Sequence, residues 1–573
     1  MKHLVDELLD VARSTPDVVA LRWFGGRDGG RVREEVTFGA LAERVERTAA
    51  GLRAQGMEPG DRVLFSIRPR PEGVVLCLAV LRAGGAVVFV DPGSTPELFA
   101  ARIAAAAPRW AATEALLYAA SSGPLRGIAR SRGLLLPDYG RLPVRHLYTG
   151  RWLPGVPRGA HRVVRLGRAV PGTARASAGA AEADREALVV FTSGTTSDPK
   201  AVVHTARTLG GMLDLFAQVG DLKPAQRAHT DQMFLGLPAI IAGGTWEIPA
   251  KAPKDAPQAF ARGVAGADSS FLVPADVTAL LDVLEAGSGT GSAASAAGPA
   301  VLAVGAAPVT VALLERGRRV LPGTRWLAVY GATEILPAAV TDADEKIAAA
   351  AAGDLVGRPL GGIGVRIDTA AARDAGDPAD TTDSGDPGDE REVGELVLTG
   401  PSLMAGYLAD LDAGGPRAVE HRTGDLAYQD AEGRIVLVGR NRDMIIRGTV
   451  NIYPGLFEPR LRELPGVANA VLVGVPVPDG DERVVLVVTA EGVTAAGATA
   501  AGGTRDADAA PVVRAGTELA RAVAGQVAQV LDHGALPDLV VEATHVPVAG
   551  RSRKPDRRAL VSLVSSLTGT VRA

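Results

Sequence analysis

Apolar positions change their period repeatedly along this chain. From Val36-Thr37-Phe38-Gly39-Ala40-Leu41 through Leu52 they recur at helical spacing. Gly60-Asp61-Arg62-Val63-Leu64-Phe65 then reads as a turn entering a strand. Leu81-Arg82-Ala83-Gly84-Gly85-Ala86 leads into a second strand, Val87-Val88-Phe89-Val90, closed by the turn Asp91-Pro92. Further apolar runs of strand length stand at Ala187-Leu188-Val189-Val190-Phe191, Leu302-Ala303-Val304, Trp326-Leu327-Ala328-Val329, Leu396-Val397-Leu398, Val436-Leu437-Val438, 471–475 and 484–488. Ala239-Ile240-Ile241-Ala242 reads as helix running into the turn Gly243-Gly244. Helix and strand in alternation predict an α/β fold with parallel sheet. The pattern fails from about 119 to 184, where Arg, Gly and Pro crowd, and in three low-complexity segments at 287–297, 374–390 and 495–510, which read as surface loops.

A chain of 573 residues is too long for one core, so two or more domains are expected. The longest apolar region, Val74 to Val90, carries Arg82 and two glycines and does not read as a membrane span. A formal net charge of −4 gives no reason to expect a nucleic acid or an anionic membrane as partner. The one cysteine, Cys77, excludes an internal disulfide and fits a reducing, cytoplasmic setting. It lies in Val74-Val75-Leu76-Cys77-Leu78-Ala79-Val80 and reads as a buried small side chain, not a nucleophile. The start, Met1-Lys2-His3-Leu4-Val5-Asp6, carries no secretory pattern. Only seven of the 61 basic residues are lysine, so a retained lysine points to a need for a compact point charge. Lys200 and Lys554 are two of the seven.

Chemistry concentrates where strands end. After Phe191 comes Thr192-Ser193-Gly194-Thr195-Thr196-Ser197-Asp198-Pro199-Lys200. Its hydroxyls can donate to a polyphosphate, Gly194 admits close backbone approach, and Lys200 brings a mobile charge. No Gly-Lys-Ser/Thr closes it, so it is not the common phosphate loop; by composition alone, a polar turn between two strands accounts for it equally well. Leu302-Ala303-Val304 ends in Gly305-Ala306-Ala307-Pro308, a turn against which a flat base can lie. Trp326-Leu327-Ala328-Val329 ends in Tyr330-Gly331-Ala332-Thr333-Glu334, an aromatic ring, a hydroxyl and a carboxylate at a strand end, where open α/β sheets bind ligands. The alternative there is a helix start capped by Thr and Glu. Arg422-Thr423-Gly424-Asp425-Leu426 offers a carboxylate on a tight turn.

The order Thr-Ser-Gly-Thr-Thr-x-x-Pro-Lys resembles the signature loop of the AMP-forming acyl- and aryl-CoA synthetases and their adenylation-domain relatives, with Ser197 and Ala201 where that family has glycine. Tyr330-Gly331-Ala332-Thr333-Glu334, Gly406-Tyr407-Leu408, Thr423-Gly424-Asp425, Val436-Leu437-Val438-Gly439-Arg440-Asn441-Arg442-Asp443 and Lys554-Pro555-Asp556-Arg557-Arg558-Ala559-Leu560 resemble its later motifs, in its order. The resemblance spans about 36 to 560. It implies a large N-terminal α/β region with several sheets, 1–439, and a small mobile C-terminal α/β lid, 440–573. It implies ATP, Mg2+ and coenzyme A, with a small carboxylic acid as substrate. Thr192, Ser193, Gly194, Thr195 and Thr196 would hold phosphates, and Gly305, Ala306, Ala307, Tyr330 and Gly331 would face the adenylate. Asp425 would take the ribose hydroxyls, Arg440 the ribose or phosphate, and Gly448 would meet coenzyme A. Glu334 would bind Mg2+, with Lys554, Lys200 and Thr333 catalytic. The expected activity is acyl-CoA ligation through acyl-AMP.

The sequence departs from the family at the hinge, where Arg442 replaces Asp or Lys. It departs after Pro454, where Gly455 replaces Glu, and at the acyl gate, where a Pro-x-x-His motif is missing. His229 or Gln232 stands near that gate, although a surface or core histidine is the commoner explanation of His229. Asp91-Pro92-Gly93 and Thr333-Glu334-Ile335-Leu336-Pro337 resemble the olefin β-lactone synthetases of the same superfamily. Ring closure after adenylation, an enzyme of the thioester half alone, and a silent binder of acyl nucleotides are therefore the alternatives.

Overall fold

The computed structural model describes residues 3–26, 29–90, 96–131, 136–167, 180–191, 200–288, 297–307, 309–349, 353–369, 392–440, 445–447, 450–452, 454–476, 482–491, 511–527, 531, 536–549 and 554–568. The fold is mixed α/β with several sheets, as the alternating pattern predicts. The chain divides into two compact units. The first comprises Met1–Ile347, Pro359–Gly364 and Thr399–His421; the second comprises Ala348–Arg358, Val365–Leu398 and Arg422–Ala573. Position 439/440, the expected domain boundary, falls inside the second unit.

In the first unit one sheet of eight strands runs in the order Gly406–Tyr407, Ala201–Thr205, Glu186–Phe191, Ala86–Phe89, Arg62–Ser66, Trp110–Glu114, Arg145–Thr149, His161–Arg162. From Glu186–Phe191 onward the strands are parallel, while Ala201–Thr205 and Gly406–Tyr407 add antiparallel. A second set of neighbouring strands runs Ile335–Asp342, Arg325–Ala332, Val301–Val304, Ser269–Leu272, Arg227–His229, Thr245–Ile248, Val19–Gly25, Arg31–Thr37. It is parallel through the middle with an antiparallel hairpin at each end.

Helices Phe38–Ala54, Pro71–Ala83, Ala206–Val219 and Met233–Ile241 share one core with both sheets, meeting Val63, Val87 and Leu188 of the first and Leu21, Trp246 and Ala303 of the second. The helix Pro71–Ala83 is buried at every position from Gly73 on. Its Arg82 is tolerated there because Asp6 and Glu46 take the charge at 2.9 and 2.8 Å. Burial pushes the Cys77 thiol up to about 12, which suits the inert packing role. Among the described residues no helix is long and apolar enough to cross a membrane.

One expectation needs correction. The stretch 119–184 is not wholly irregular, since Arg145–Thr149 and His161–Arg162 form the outer strands of the eight-stranded sheet. Both are short and rich in basic residues, so they carry too few apolar positions to show a period. Arg145 nevertheless packs its guanidinium over the Trp110 ring at 5.2 Å, which is how a charged side chain covers an apolar edge.

In the second unit, Gly364–Asp368, Gly394–Thr399, His421–Gln429, Ile435–Arg440 and Asp354–Pro359 are neighbours in that order. A separate four-stranded sheet follows: Val467–Pro476, Glu482–Ala490, Leu539–Ala543, Val513–Ala515. Alternate residues feed two cores. Leu472, Val484 and Leu486 pack with Leu461 and Val523 on one face, while Val471, Val473, Val485 and Val487 pack with Leu560 and Val564 on the other. A sheet covered on both faces needs apolar residues at consecutive positions, which explains the uninterrupted valine runs.

Candidate active site

The eight-stranded sheet places a cation where its antiparallel strands begin. Phe191 pairs with Ala201, so the candidate phosphate loop joins two adjacent antiparallel strands. Thr192, Ser193, Gly194, Thr195 and Thr196 lie outside the described residues, and Lys200 is the first described position after them. On the far side of Ala201–Thr205, Tyr407 pairs with Val202 and Gly406 with Val203. Directly opposed residues share a face of a sheet, and so do residues two apart on one strand. This register therefore gathers Lys200, His204 and Tyr407 on one side. The Lys200 Nζ lies 5.2 Å from the centre of the Tyr407 ring.

A hairpin supplies the opposite charge. Arg325–Ala332 turns back into Ile335–Asp342 through Thr333 and Glu334, with Ala332 opposite Ile335. A Cβ on Gly331 would stand 2.7 Å from Leu336 Cδ1 and 2.9 Å from the Ile335 carbonyl oxygen, so the turn closes only over a glycine. The Glu334 carbonyl accepts from the Met404 N–H at 2.7 Å, and Ile335 bridges Leu403. These contacts bring the segment leading to Tyr407 against the turn. The Tyr407 hydroxyl donates to Glu334 Oε1 at 2.9 Å, while His421 Nε2 stands 4.0 Å from Oε2. Burial, the Glu334 charge and that hydrogen bond all push the Tyr407 hydroxyl well above its ordinary value, so it remains a donor.

His204 secures the same turn from below. It is wholly buried, and its Nε2 donates to the Thr333 carbonyl at 2.9 Å. Nδ1 faces the Thr208 hydroxyl at 3.4 Å; the tautomer follows from the carbonyl, which can only accept. Burial lowers the His204 ring below its ordinary value against the pull of that bond, favouring the neutral form.

Two further stretches of the first unit carry the residues expected to face the adenylate. Gly305 follows Val301–Val304 and donates to the Leu272 carbonyl at 3.3 Å; a Cβ there would meet the Val329 carbonyl at 2.9 Å. Ala306 holds φ at 64°, a left-handed conformation that costs a non-glycine roughly 1–2 kcal/mol. Ala307 is half-buried. Tyr330 and Gly331 sit within the strand Arg325–Ala332 rather than beyond its end, with Tyr330 opposite Ala339. Thr333 and Glu334 form a strand-to-strand turn, which removes the capped-helix alternative.

The second unit is described by itself. Asp425 is 6% exposed and lies inside the strand His421–Gln429, opposite Arg440, rather than on a separate tight turn. Gly424 at φ 69° makes the local kink. Its N–H donates to Glu395 Oε1 at 3.2 Å, and the Thr423 hydroxyl donates to the Leu396 carbonyl at 2.8 Å while accepting from the Asp425 N–H at 3.0 Å. The backbone of Arg440 ends the strand Ile435–Arg440, and that of Lys554 pairs with Ala549; the side chains of both lie outside the described residues, as does Gly448.

At the expected acyl gate, His229 is a core residue. It is 1% exposed, packed 4.9 Å from the Phe260 ring and 5.8 Å from Phe24, with Nδ1 3.6 Å from Glu247. Gln232 is half-buried and precedes the helix Met233–Ile241. Next to it, burial and the neighbouring Asp276 push the Asp231 carboxyl up to about 6. Sequence reasoning missed His204, His421 and the chemical use of Tyr407. Their signal is weak, because a histidine in an apolar strand looks like core until its partner across the fold is known.

The family model described as AMP-binding enzyme matches residues 8–408. The chain is 30% identical over 519 residues to the olefin β-lactone synthetase of Xanthomonas campestris pv. campestris, covering 86% of this chain and 88% of that one. It is 28% identical over 511 residues to the feruloyl-CoA synthase of an Amycolatopsis species, covering 84% and 87%. The fold is similar to that of the amide bond synthetase McbA from Marinactinospora thermotolerans, with a TM-score of 0.70 at 24% identity over 98% of this chain and 99% of that one.

Proposed function

The chain belongs to the AMP-binding enzymes, the adenylate-forming ligases, and from that premise we propose that it joins a carboxylic acid to ATP and passes the acyl group to the thiol of coenzyme A. One observation carries the reading. A lysine and a glutamate, each expected to act on MgATP, meet on a single tyrosine side chain within one unit, and the expected threonine stands beside the glutamate in the same turn, held through its carbonyl by His204.

In the first half a carboxylate oxygen attacks the α-phosphorus, forming the acyl–phosphate bond as pyrophosphate leaves. No protein nucleophile is required, so the residues act by holding and neutralising charge. The Lys200 ammonium offsets phosphate charge, and Thr333 donates to the α-phosphate. Lys554 neutralises the incoming carboxylate and the adenylate. In the second half the thiol sulfur attacks the carbonyl carbon and AMP leaves with the bonding pair. Two half-reactions with different acceptors require the small C-terminal part to move as a lid between them, pivoting near Arg442.

Among the described residues no group of three or more His, Cys, Asp or Glu gathers into a metal cage. Mg2+ bound with a nucleotide takes one or two carboxylates and completes its shell from phosphate and water, which fits the single Glu334 carboxylate. Mg2+ there would supply Lewis-acid neutralisation of phosphate charge.

A second reading has its own support. Identity of 30% over 86% of this chain to an olefin β-lactone synthetase, with the sequence features named above, favours an acid bearing a 3-hydroxyl. That hydroxyl oxygen would attack the activated carbonyl, closing a four-membered ring and releasing AMP without a thiol. Acid-dependent exchange of labelled pyrophosphate into ATP tests the first half. Product analysis with and without coenzyme A, on 3-hydroxy and unsubstituted acids, tests the second. The expected result is exchange with at least one acid and thioester formed only with coenzyme A. Lactone formed without it establishes ring closure instead, and absence of exchange overturns both readings.

A further inference from the structure

We propose that Tyr407 is a positioning residue for the adenylating step: its hydroxyl orients the Glu334 carboxylate and its ring face seats the Lys200 ammonium. The proposal rests on the adenylation reading and adds a residue to it. A tyrosine has two unlike ends. The ring face is electron-rich and attracts a cation, while the hydroxyl donates to an anion. Here both ends are used, since Lys200 Nζ stands 5.2 Å from the ring centre and Glu334 Oε1 accepts from the hydroxyl at 2.9 Å. One side chain therefore sets where a positive and a negative group stand relative to each other.

The placement of Tyr407 is itself secured. Its strand partner is Val202, two residues from Lys200. Ala405 donates to the Val203 carbonyl at 2.7 Å, and Met404 donates to the Glu334 carbonyl at 2.7 Å. The backbone before Tyr407 is thus pinned both to the lysine's strand and to the glutamate's turn. Anchoring Oε1 fixes the carboxylate plane and directs Oε2 toward the side where His421 stands at 4.0 Å. A carboxylate free to rotate would present its oxygens to a cation in several orientations, and a fixed one presents the same oxygen each time.

The test uses the full chain and two variants. Tyr407→Phe keeps the ring and removes the donor; Tyr407→Leu removes both. Binding of Mn2+–ATP, followed by the loss of free Mn2+ signal in electron paramagnetic resonance, reads the Glu334 end without requiring turnover. Tyr407→Phe is expected to weaken Mn2+ binding about 10-fold, the size of one hydrogen bond to a charged group, and to leave metal-free ATP affinity within about twofold. Excess metal should restore its pyrophosphate exchange. Tyr407→Leu should show the same metal defect and a further ~2–5-fold loss of exchange that metal does not restore, the size of a cation–π contact.

A purely structural tyrosine would instead lower metal-free ATP affinity and thermal stability in both variants, with no special metal dependence; that result overturns the proposal. So does unchanged Mn2+ binding in Tyr407→Phe, or wild-type protein that binds no Mn2+–ATP. Wild-type protein without acid-dependent exchange, but with the expected Mn2+ shift, refutes the reaction while supporting the placement of Tyr407.

Discussion

Glu458 offers a test of what holds the second unit's C-terminal segment in place. It is 5% exposed on the helix Pro454–Leu461. Its carboxylate accepts from Arg557 Nη1 at 2.7 Å, from Arg557 Nη2 at 3.0 Å and from the Leu472 N–H at 2.9 Å. Arg557 Nη1 also donates to the Leu472 carbonyl at 2.6 Å. One pair thus ties three elements together, the helix Pro454–Leu461, the strand Val467–Pro476 and the helix Arg557–Thr568.

Glu458→Ala removes the carboxylate that a guanidinium and a buried N–H share. Truncating one partner of a buried pair costs about 3–5 kcal/mol. The Arg557 side chain keeps 19% of its exposure, so water recovers part of the loss and the low end applies. About 3 kcal/mol corresponds to roughly 100-fold in an opening equilibrium. Glu458→Gln keeps one acceptor oxygen and should cost about 1–2 kcal/mol. Hydrogen exchange read by mass spectrometry resolves this locally, which matters because a chain of two units does not unfold in one step. Peptides covering Val467–Pro476 and Arg557–Thr568 should exchange ~100-fold faster in Glu458→Ala, and peptides covering Ala201–Thr205 should not change. An acceleration below about threefold in the first two, or an equal acceleration everywhere, would show that the pair does not hold this segment. Because Lys554 lies three positions before Arg557, the proposed role of Lys554 gives the same variant a second readout, slower adenylation.

Three other outcomes follow from single residues. Lys554→Ala should slow pyrophosphate exchange by ~100-fold or more while barely affecting thioester formation from supplied acyl-AMP, and equal damage to both would count against its role. Asp425→Ala should weaken ATP and acyl-AMP together by about 1.5–3 kcal/mol per lost charged hydrogen bond, as read by calorimetry. Asp231 has a folded value of about 6 against an ordinary 3.8, so the folded chain keeps that proton to higher pH than the unfolded one. Its contribution is complete below about pH 4 and is lost as pH rises through about 6. Asp231→Asn should therefore raise stability at pH 7.5 by about 2–3 kcal/mol and change little near pH 4, measured as the shift in urea midpoint.

Much of this arrangement was legible because strands with both faces covered leave uninterrupted apolar runs. The runs at 187–191, 302–304, 326–329, 471–475 and 484–488 each became a strand near the expected bounds. Periodicity is silent about pairing, however. Nothing local in Gly406-Tyr407 says that it lies beside Val203 and Val202, some two hundred positions earlier, yet that pairing brings Tyr407 to Lys200. For the same reason a capped helix start stayed open as the alternative at Thr333 and Glu334. Thr and Glu suit a helix N-terminus locally, and only the antiparallel partner Ile335–Asp342 decides for a hairpin. The outer strands Arg145–Thr149 and His161–Arg162, the latter at the edge, were missed because both are short and carry few apolar side chains.

Departures from the family's motifs occur at both ends of the chemistry: Ser197 and Ala201 lie in the phosphate loop, and three others concern the acid and the second acceptor. ATP is the same ligand for every adenylating enzyme, so the residues proposed for it face a fixed demand, and Lys200, Thr333, Glu334 and Asp425 are the residues that the family resemblance would assign to it. The acid and the acceptor vary. The missing Pro-x-x-His motif, Arg442 at the proposed pivot and Gly455 after Pro454 fall where the resemblance would place the acid or the admission of the second acceptor. Near the expected acid gate the helix Met233–Ile241 carries Phe234, which meets Phe89 at 5.5 Å, and Phe89 meets the buried Phe65 at 5.5 Å. An acid lying beside Phe234 would gain from an apolar body there, since these rings offer no charge to a polar one. On that ground an acid with an apolar body is the first to offer in the exchange assay, with and without a 3-hydroxyl. A short dicarboxylic acid exchanging better than either would place the acyl group elsewhere than against Phe234.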